Sequence, residues 1–190
     1  MTVLGVVADT HIPDRARRLD PRVGEIFRAA GVDLILHAGD ISTGAVLQEL
    51  GQIAPVHAVR GNRDWVALRH LPFSWRLSVA GIKLALNHGH GRWWRYLIHR
   101  LDYIARGYRL GLFEPYLLAE FPDARVIVFG HTHRPHNRWV DRCLLFNPGS
   151  PHCPEGKIKT PSVGLLRISA GGEVRGEIVS LESGSILKVE

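Results

Sequence analysis

Five short stretches of this chain end in side chains able to bind a divalent cation. They are "VLGVVADTH" (3–11), "DLILHAGD" (33–40), "PVHAVRGNRD" (55–64), "IKLALNHGH" (82–90) and "ARVIVFGHTH" (124–133). Together they supply Asp9, His11, Asp40, Asn62, His88, His131 and His133. Two carboxylates, one carboxamide oxygen and four imidazoles make a donor set for two divalent ions, and with no thiolate among them the set favours Mn²⁺, Fe²⁺ or Zn²⁺. The pairs Asp9/His11 and His131/His133 are spaced i,i+2. On an extended chain such a pair points one way, so both members can face one ion. Each group alone is a weak signal. Five in order, each after an apolar run, form a specific one.

The side chains must be positioned by those runs. Each is rich in Val, Ile, Leu and Ala, and its unbroken apolar character suits a strand buried on both faces, as in a sheet between helices. Ligands of such sheets bind beyond the carboxyl ends of the strands, so one sheet edge is expected to gather all seven residues. The glycines that follow the runs let backbone turn and approach closely. Helical patterns lie between them. "DPRVGEIFRAAG" has Asp20 as N-cap, Pro21 at the first helical position and Gly31 as its stop. "STGAVLQELG" is capped by Ser42 or Thr43, and "EPYLLAEF" runs from Pro115 to just before Pro122.

"RWWRYLIHRLDYIARGYRLG" also reads at helical period, with Trp93, Leu97, Leu101, Ile104 and Tyr108 on one stripe and arginines opposite. This segment (92–109) is expected to pack its stripe on the core. A lid, an oligomer contact or an anion-binding patch are the alternatives. Past residue 134 come short strands, a Pro/Gly-rich loop from Pro148 to Pro161, and two strands joined by Ala170-Gly171-Gly172. The pattern is an α/β core with a more antiparallel C-terminal part.

Bulk properties bound the function. At 190 residues, 45% hydrophobic and 22% charged, the chain is expected to form one soluble domain. No apolar run approaches the ~18 residues of a membrane span, and the first apolar stretch ends in an acid and a histidine rather than a cleavage site. A cytoplasmic location is the default expectation. Cys143 and Cys153 form neither a disulfide framework nor a zinc-knuckle spacing. The net charge of +6 favours anionic ligands such as phosphate esters and nucleotides, and no nucleic-acid module is evident.

The order D-x-H, G-D, G-N-x-D, H-G-H, G-H-T-H resembles the calcineurin-like metallophosphoesterase superfamily. The spacing, "HAGDI", "APVHAVRGN" and the late "NPGS" are similar to its small single-domain bacterial and archaeal phosphodiesterases. The phosphoesterase-like subunit of eukaryotic retromer has a related fold. The resemblance covers nearly the whole chain, so residues 1–190 are expected to form one metallophosphoesterase domain. It implies a two-sheet β-sandwich flanked by helices, with two metals about 3.5–4 Å apart. By the family pattern Asp9, His11, Asp40 and His133 hold one metal, and Asp40 bridges to another held by Asn62, His88 and His131. Mn²⁺ is the first expectation, with Fe²⁺, Zn²⁺ and Ni²⁺ as alternatives. The implied reaction is hydrolysis of a phosphodiester by a hydroxide shared between the metals. The partner is then a small phosphorylated substrate, nucleotide-derived ones included, and self-association stays open.

One position departs from the pattern. Many relatives carry His after G-N, placed to protonate the leaving oxygen, and this chain carries Arg63. Guanidinium stays protonated and cannot act as a general acid, yet it offers a fixed charge and a fork of donors to phosphate. Arg63 is therefore expected to contact the substrate phosphate, with pairing to Asp64 as the structural alternative. His90 is the remaining candidate for the proton donor. "GNRD" also resembles the UDP-diacylglucosamine pyrophosphohydrolases, which leaves a pyrophosphohydrolase acting on a nucleotide conjugate as one alternative and a metal-bound, non-catalytic scaffold as the other. His37, inside an apolar run, is expected to support the ligands rather than join them.

Overall fold

The computed structural model describes residues 1–89 and 113–189. His90 and the 92–109 segment lie outside the described residues. The strands are β1 (Thr2–Val7), β2 (Leu34–His37), β3 (Val56–Ala58), β4 (Ser74–Val79), β5 (Ile82–Asn87), β6 (Val126–Val128), β7 (His136–Val140), β8 (Cys143–Asn147), β9 (Ser162–Ile168) and β10 (Val174–Ser180). The helices are α1 (Pro21–Ala29), α2 (Gly44–Gly51) and α3 (Phe113–Glu120).

Two mixed five-stranded sheets result, ordered β10-β9-β1-β2-β3 and β4-β5-β6-β8-β7. In the first, β1, β2 and β3 run parallel, and β9 and β10 complete it antiparallel. In the second, β5, β6 and β8 run parallel between antiparallel β4 and β7.

Strand alternation explains the apolar runs. In β1, Val3 and Val7 face a layer containing Val23 and Phe27 of α1 and Val46 and Leu50 of α2, while Leu4 and Val6 face the opposite sheet. In β6, Val126 and Val128 join that inter-sheet core, and Ile127 turns outward to Leu117 of α3 and Phe121. Each central strand thus buries both faces, one against a sheet and one against a helix. The sandwich implied by the family resemblance is present. The single sheet between helices suggested by periodicity is corrected to two sheets, each covered by helix on one side only.

The caps follow the sequence. Asp20 accepts from the Arg22 amide and Gly31 adopts a left-handed φ of 63° after α1. Thr43 caps α2, whose last residue is Gly51 itself. The strand at Ser74–Val79 has no counterpart in the sequence reading. Its partly exposed, mixed composition conceals it, and Ala80-Gly81, both at positive φ, turn it into β5. Trp75 of β4 donates its indole N–H to the Ala58 carbonyl at 3.0 Å, tying the open edges of the two sheets together.

Candidate metal centre

Each predicted ligand follows the carboxyl end of a strand: Asp9 and His11 after β1, Asp40 after β2, Asn62 after β3, His88 after β5, His131 and His133 after β6. The first three strands belong to one sheet and the last two to the other. The residues therefore meet where two sheet edges converge, not along one edge. The extended i,i+2 geometry expected for the Asp-His and His-His pairs is also corrected. Asp9, His11, Asp40, His131 and His133 all lie beyond the strands with φ between 49° and 69°. Five left-handed non-glycine residues in one cluster are a concentration of backbone strain, costing of order 1–3 kcal/mol each and typical of functional sites.

The side chains converge closely. Asp40 sends Oδ2 to within 3.6 Å of His11 Nε2 and Oδ1 to within 3.4 Å of His88 Nε2. Asp9 Oδ1 lies 3.6 Å from His133 Nε2, and His11 Nε2 lies 3.2 Å from His133 Nε2. On the other side, Asn62 Oδ1 stands 3.2 Å from both His88 Nε2 and His131 Nδ1. Two compact ligand groups share Asp9: one with His11 and His133, the other with Asp40 and His88.

A set of supports that the sequence reading did not single out holds these groups. Asp64 is fully buried and accepts three backbone amides, from Ile41 and Ser42 through Oδ1 and from Gly61 through Oδ2. Both oxygens are thereby engaged, so Asp64 staples the Asp40 loop to the Asn62 loop, and the pairing with Arg63 that was the structural alternative is not formed. Arg63 instead donates its backbone N–H to Asp40 Oδ1 at 2.8 Å while its residue stays exposed. A Cβ on Gly61 would collide with the Asp40 carboxylate, so only glycine fits there. Ser150 donates its hydroxyl to the Asp9 carbonyl at 2.8 Å, and Asn147 ties Gly130 and Thr132 to the following loop. The "GNRD" and "NPGS" strings were the available signals for these roles.

Further hydrogen bonds orient the ligands. His88 Nδ1 pairs with the Ala38 carbonyl at 2.7 Å and His133 Nδ1 with the Cys153 carbonyl at 2.8 Å, leaving each Nε2 directed at the cluster. His37, as expected, supports rather than joins it: its ring nitrogens lie 3.2 Å from Thr10 Oγ1 and the Gly39 amide.

Burial dominates the electrostatics. Desolvation, with the neighbouring Asp40 adding to it, raises the Asp9 carboxyl well above its ordinary range. Desolvation also raises Asp40 to about 7, against the opposing pull of the Arg63 amide. His11 is lowered to about 3, first by burial and then by His133, Arg15 and Arg63, and burial lowers His133 too. Neutral imidazoles with lone pairs available, facing carboxylates that resist carrying charge by themselves, suit cations in their midst. Asp9 Oδ2 and His11 Nδ1 are buried without a hydrogen-bond partner among the described residues, which leaves further donor capacity there. The residues fit a divalent-metal centre.

Residues 1–171 match the calcineurin-like phosphoesterase superfamily domain. The chain belongs to that superfamily. It is 37% identical over 177 residues to a probable metallophosphoesterase of Methanothermobacter thermautotrophicus, covering 93% of this chain and 91% of that one. A protein named phosphodiesterase from Methanocaldococcus jannaschii is 22% identical over 86% of this chain and 91% of its own. Among solved structures, Vps29 from Entamoeba histolytica complexed with Zn²⁺ superposes with a TM-score of 0.70 at 21% identity, covering 98% of this chain and 96% of that one. At that identity the last likeness speaks for the fold alone. As a metallophosphoesterase-family chain, the protein carries candidate ligand groups at the place where its strands end.

Proposed function

We propose that the protein is a dinuclear-metal phosphodiesterase. The observation that carries this is Asp40, whose two carboxylate oxygens face different imidazoles, His11 on one side and His88 on the other. A carboxylate facing two donor sets fits two cations: one would be held by Asp9, His11, Asp40 and His133, the other by Asp40, Asn62, His88 and His131. Asp9 is shared between the compact groups as well, with its Oδ1 near His133 of the first group, whereas Asp40 reaches imidazoles of both. Cations held there would supply Lewis acidity toward phosphoryl oxygens and bring a water's pKa from 15.7 to about 7.

The chain's own groups shape the rest. Asp64 and Ser150 fix the loops so that the ligands need little reorganisation. Arg63, exposed at the rim beside Asp40, supplies a fixed cation to a non-bridging phosphate oxygen, orienting the ester and offsetting its charge. Because guanidinium does not release a proton at useful pH, Arg63 itself cannot assist the departing oxygen, and His90 stays the candidate for that role. That favours esters with good leaving groups, activated diesters or pyrophosphates, ahead of poorly activated monoesters.

The test is hydrolysis of bis-p-nitrophenyl phosphate with and without Mn²⁺, beside p-nitrophenyl phosphate. Mn²⁺-dependent cleavage that favours the diester is the expected result. Inactivity toward both esters with every divalent metal that binds would overturn the reading in favour of a metal-loaded binding module.

A further inference from the structure

Exposed large hydrophobic residues are concentrated beside the metal centre. Of the seven among the described residues, Trp65, Val66, Phe73 and Trp75 fall within residues 65–75. The chain makes this patch an extension of the ligand loops. Trp65 follows Asn62 by three residues and Arg63 by two, so its Cα lies within about 11 Å of that of Asn62 even for a fully extended chain. Phe73 is tied to the other side of the centre. Asn87 donates to the Phe73 carbonyl at 3.3 Å and accepts from the Gly89 amide at 2.6 Å, flanking the ligand His88.

Arg60 fastens the aromatic residues in place. Its guanidinium lies 3.7 Å from the Phe73 ring centroid and 5.4 Å from that of Trp65, and it donates to the Arg69 carbonyl at 2.9 Å. Its backbone amide donates to the Pro72 carbonyl at 2.9 Å, closing the base of the loop. The Trp65 and Phe73 rings meet edge to face, with centroids 6.1 Å apart. Trp65 is nevertheless 50% exposed. An indole held by a cation on its ring, with half its surface open, is a rigid stacking surface rather than a residue awaiting burial.

We infer that Trp65 stacks against the base of a nucleoside phosphodiester whose phosphate sits at the metal centre. This rests on the phosphodiesterase reading and names its substrate class. Two features select a nucleotide. Trp65 offers an aromatic surface, and the exposed Arg63 two residues before it offers a cation to the phosphate. Two residues of chain hold the Cα atoms of Arg63 and Trp65 within about 7 Å of each other, a spacing within the reach of one nucleotide. A second exposed tryptophan, Trp139 on β7, also has an arginine over its ring, Arg125 at 4.5 Å, but it stands level with Leu144 and Val126, at the start of β6 and away from the carboxyl end that leads to His131 and His133. It serves as the control.

The experiment measures, by calorimetry on the Mn²⁺-loaded protein, the affinities of thymidine 5′-monophosphate and methyl phosphate, two monoesters that differ in the nucleoside. Wild type should prefer the thymidine ester. Trp65→Ala should reduce that preference at least about fivefold, the lower range for losing one base–aromatic stack. Trp65→Phe should keep most of it, and Trp139→Ala all of it. Equal affinity for the two esters in wild type overturns the inference, as does a Trp65→Ala variant that retains the preference or weakens both esters alike. Hydrolysis of thymidine 5′-(p-nitrophenyl phosphate) is followed in parallel. If that ester is not cleaved while the Trp65-dependent preference persists, the stacking site stands and the phosphodiesterase reading falls. If it is cleaved without a Trp65-dependent preference, the reverse holds.

Discussion

At the scale of single residues, the centre combines two demands that the same side chains meet. Asp and His bind hard and borderline cations, and they also rank among the non-glycine residues that most readily enter left-handed conformations. Asp9, His11, Asp40, His131 and His133 are all left-handed, and all are candidate ligands. Proton competition for the metals should come from the carboxylates. Asp40, raised to about 7 by burial, is increasingly protonated as pH falls below that value, whereas His11, lowered to about 3, remains neutral. Metal affinity should therefore fall as pH drops from 7 to 5, by up to about tenfold per unit for each proton displaced. Calorimetry at pH 6 in buffers of different ionisation enthalpy should show proton release on Mn²⁺ binding, and a pH-independent affinity would contradict the assignment. Arg63 tests the substrate side. Arg63→Ala should keep the metal stoichiometry and raise KM for a diester about tenfold, the scale of one charged hydrogen bond. Unchanged kcat and KM would make Arg63 structural.

At the scale of elements, the ligands are held by buttressing of loops. Asp64→Ala would strand three amides, from Ile41, Ser42 and Gly61, between two ligand loops. A loss of about 2–4 kcal/mol in urea unfolding and a weakened Mn²⁺ affinity are expected together. A loss of stability without a change in affinity would separate the staple from the site. Much of this scale was legible in the sequence. The strands ending at Val7, His37, Ala58, Asn87 and Val128 are marked by apolar runs followed by glycine or polar residues, and Asp20, Pro21 and Thr43 mark the starts of helices. These are local signals. The division of the runs between two sheets was not legible from periodicity, because a strand covered by a sheet and a helix has the same pattern as one covered by helices on both faces. Asp64 and Ser150 escaped notice as supports for a related reason: their partners lie up to 141 positions away.

At the scale of the molecule, the two sheets bring together residues up to 122 positions apart, as in the His11–His133 pair, and hold that pair buried where the two sheets converge. No helix among the described residues is long and apolar enough to cross a membrane. Strain at five candidate ligand positions and desolvated carboxylates make the centre costly to fold without a compensating cation, so bound metal should stabilise the whole chain. Mn²⁺ at 100 times its dissociation constant adds about 2.7 kcal/mol per site, and the thermal midpoint should rise with metal concentration and return on chelation. The most direct measurement is anomalous diffraction at the manganese edge from crystals grown in excess Mn²⁺. The expected map has two peaks, one among Asp9, His11, Asp40 and His133 and the other among Asp40, Asn62, His88 and His131. One peak, or none within reach of these side chains, would contradict the account.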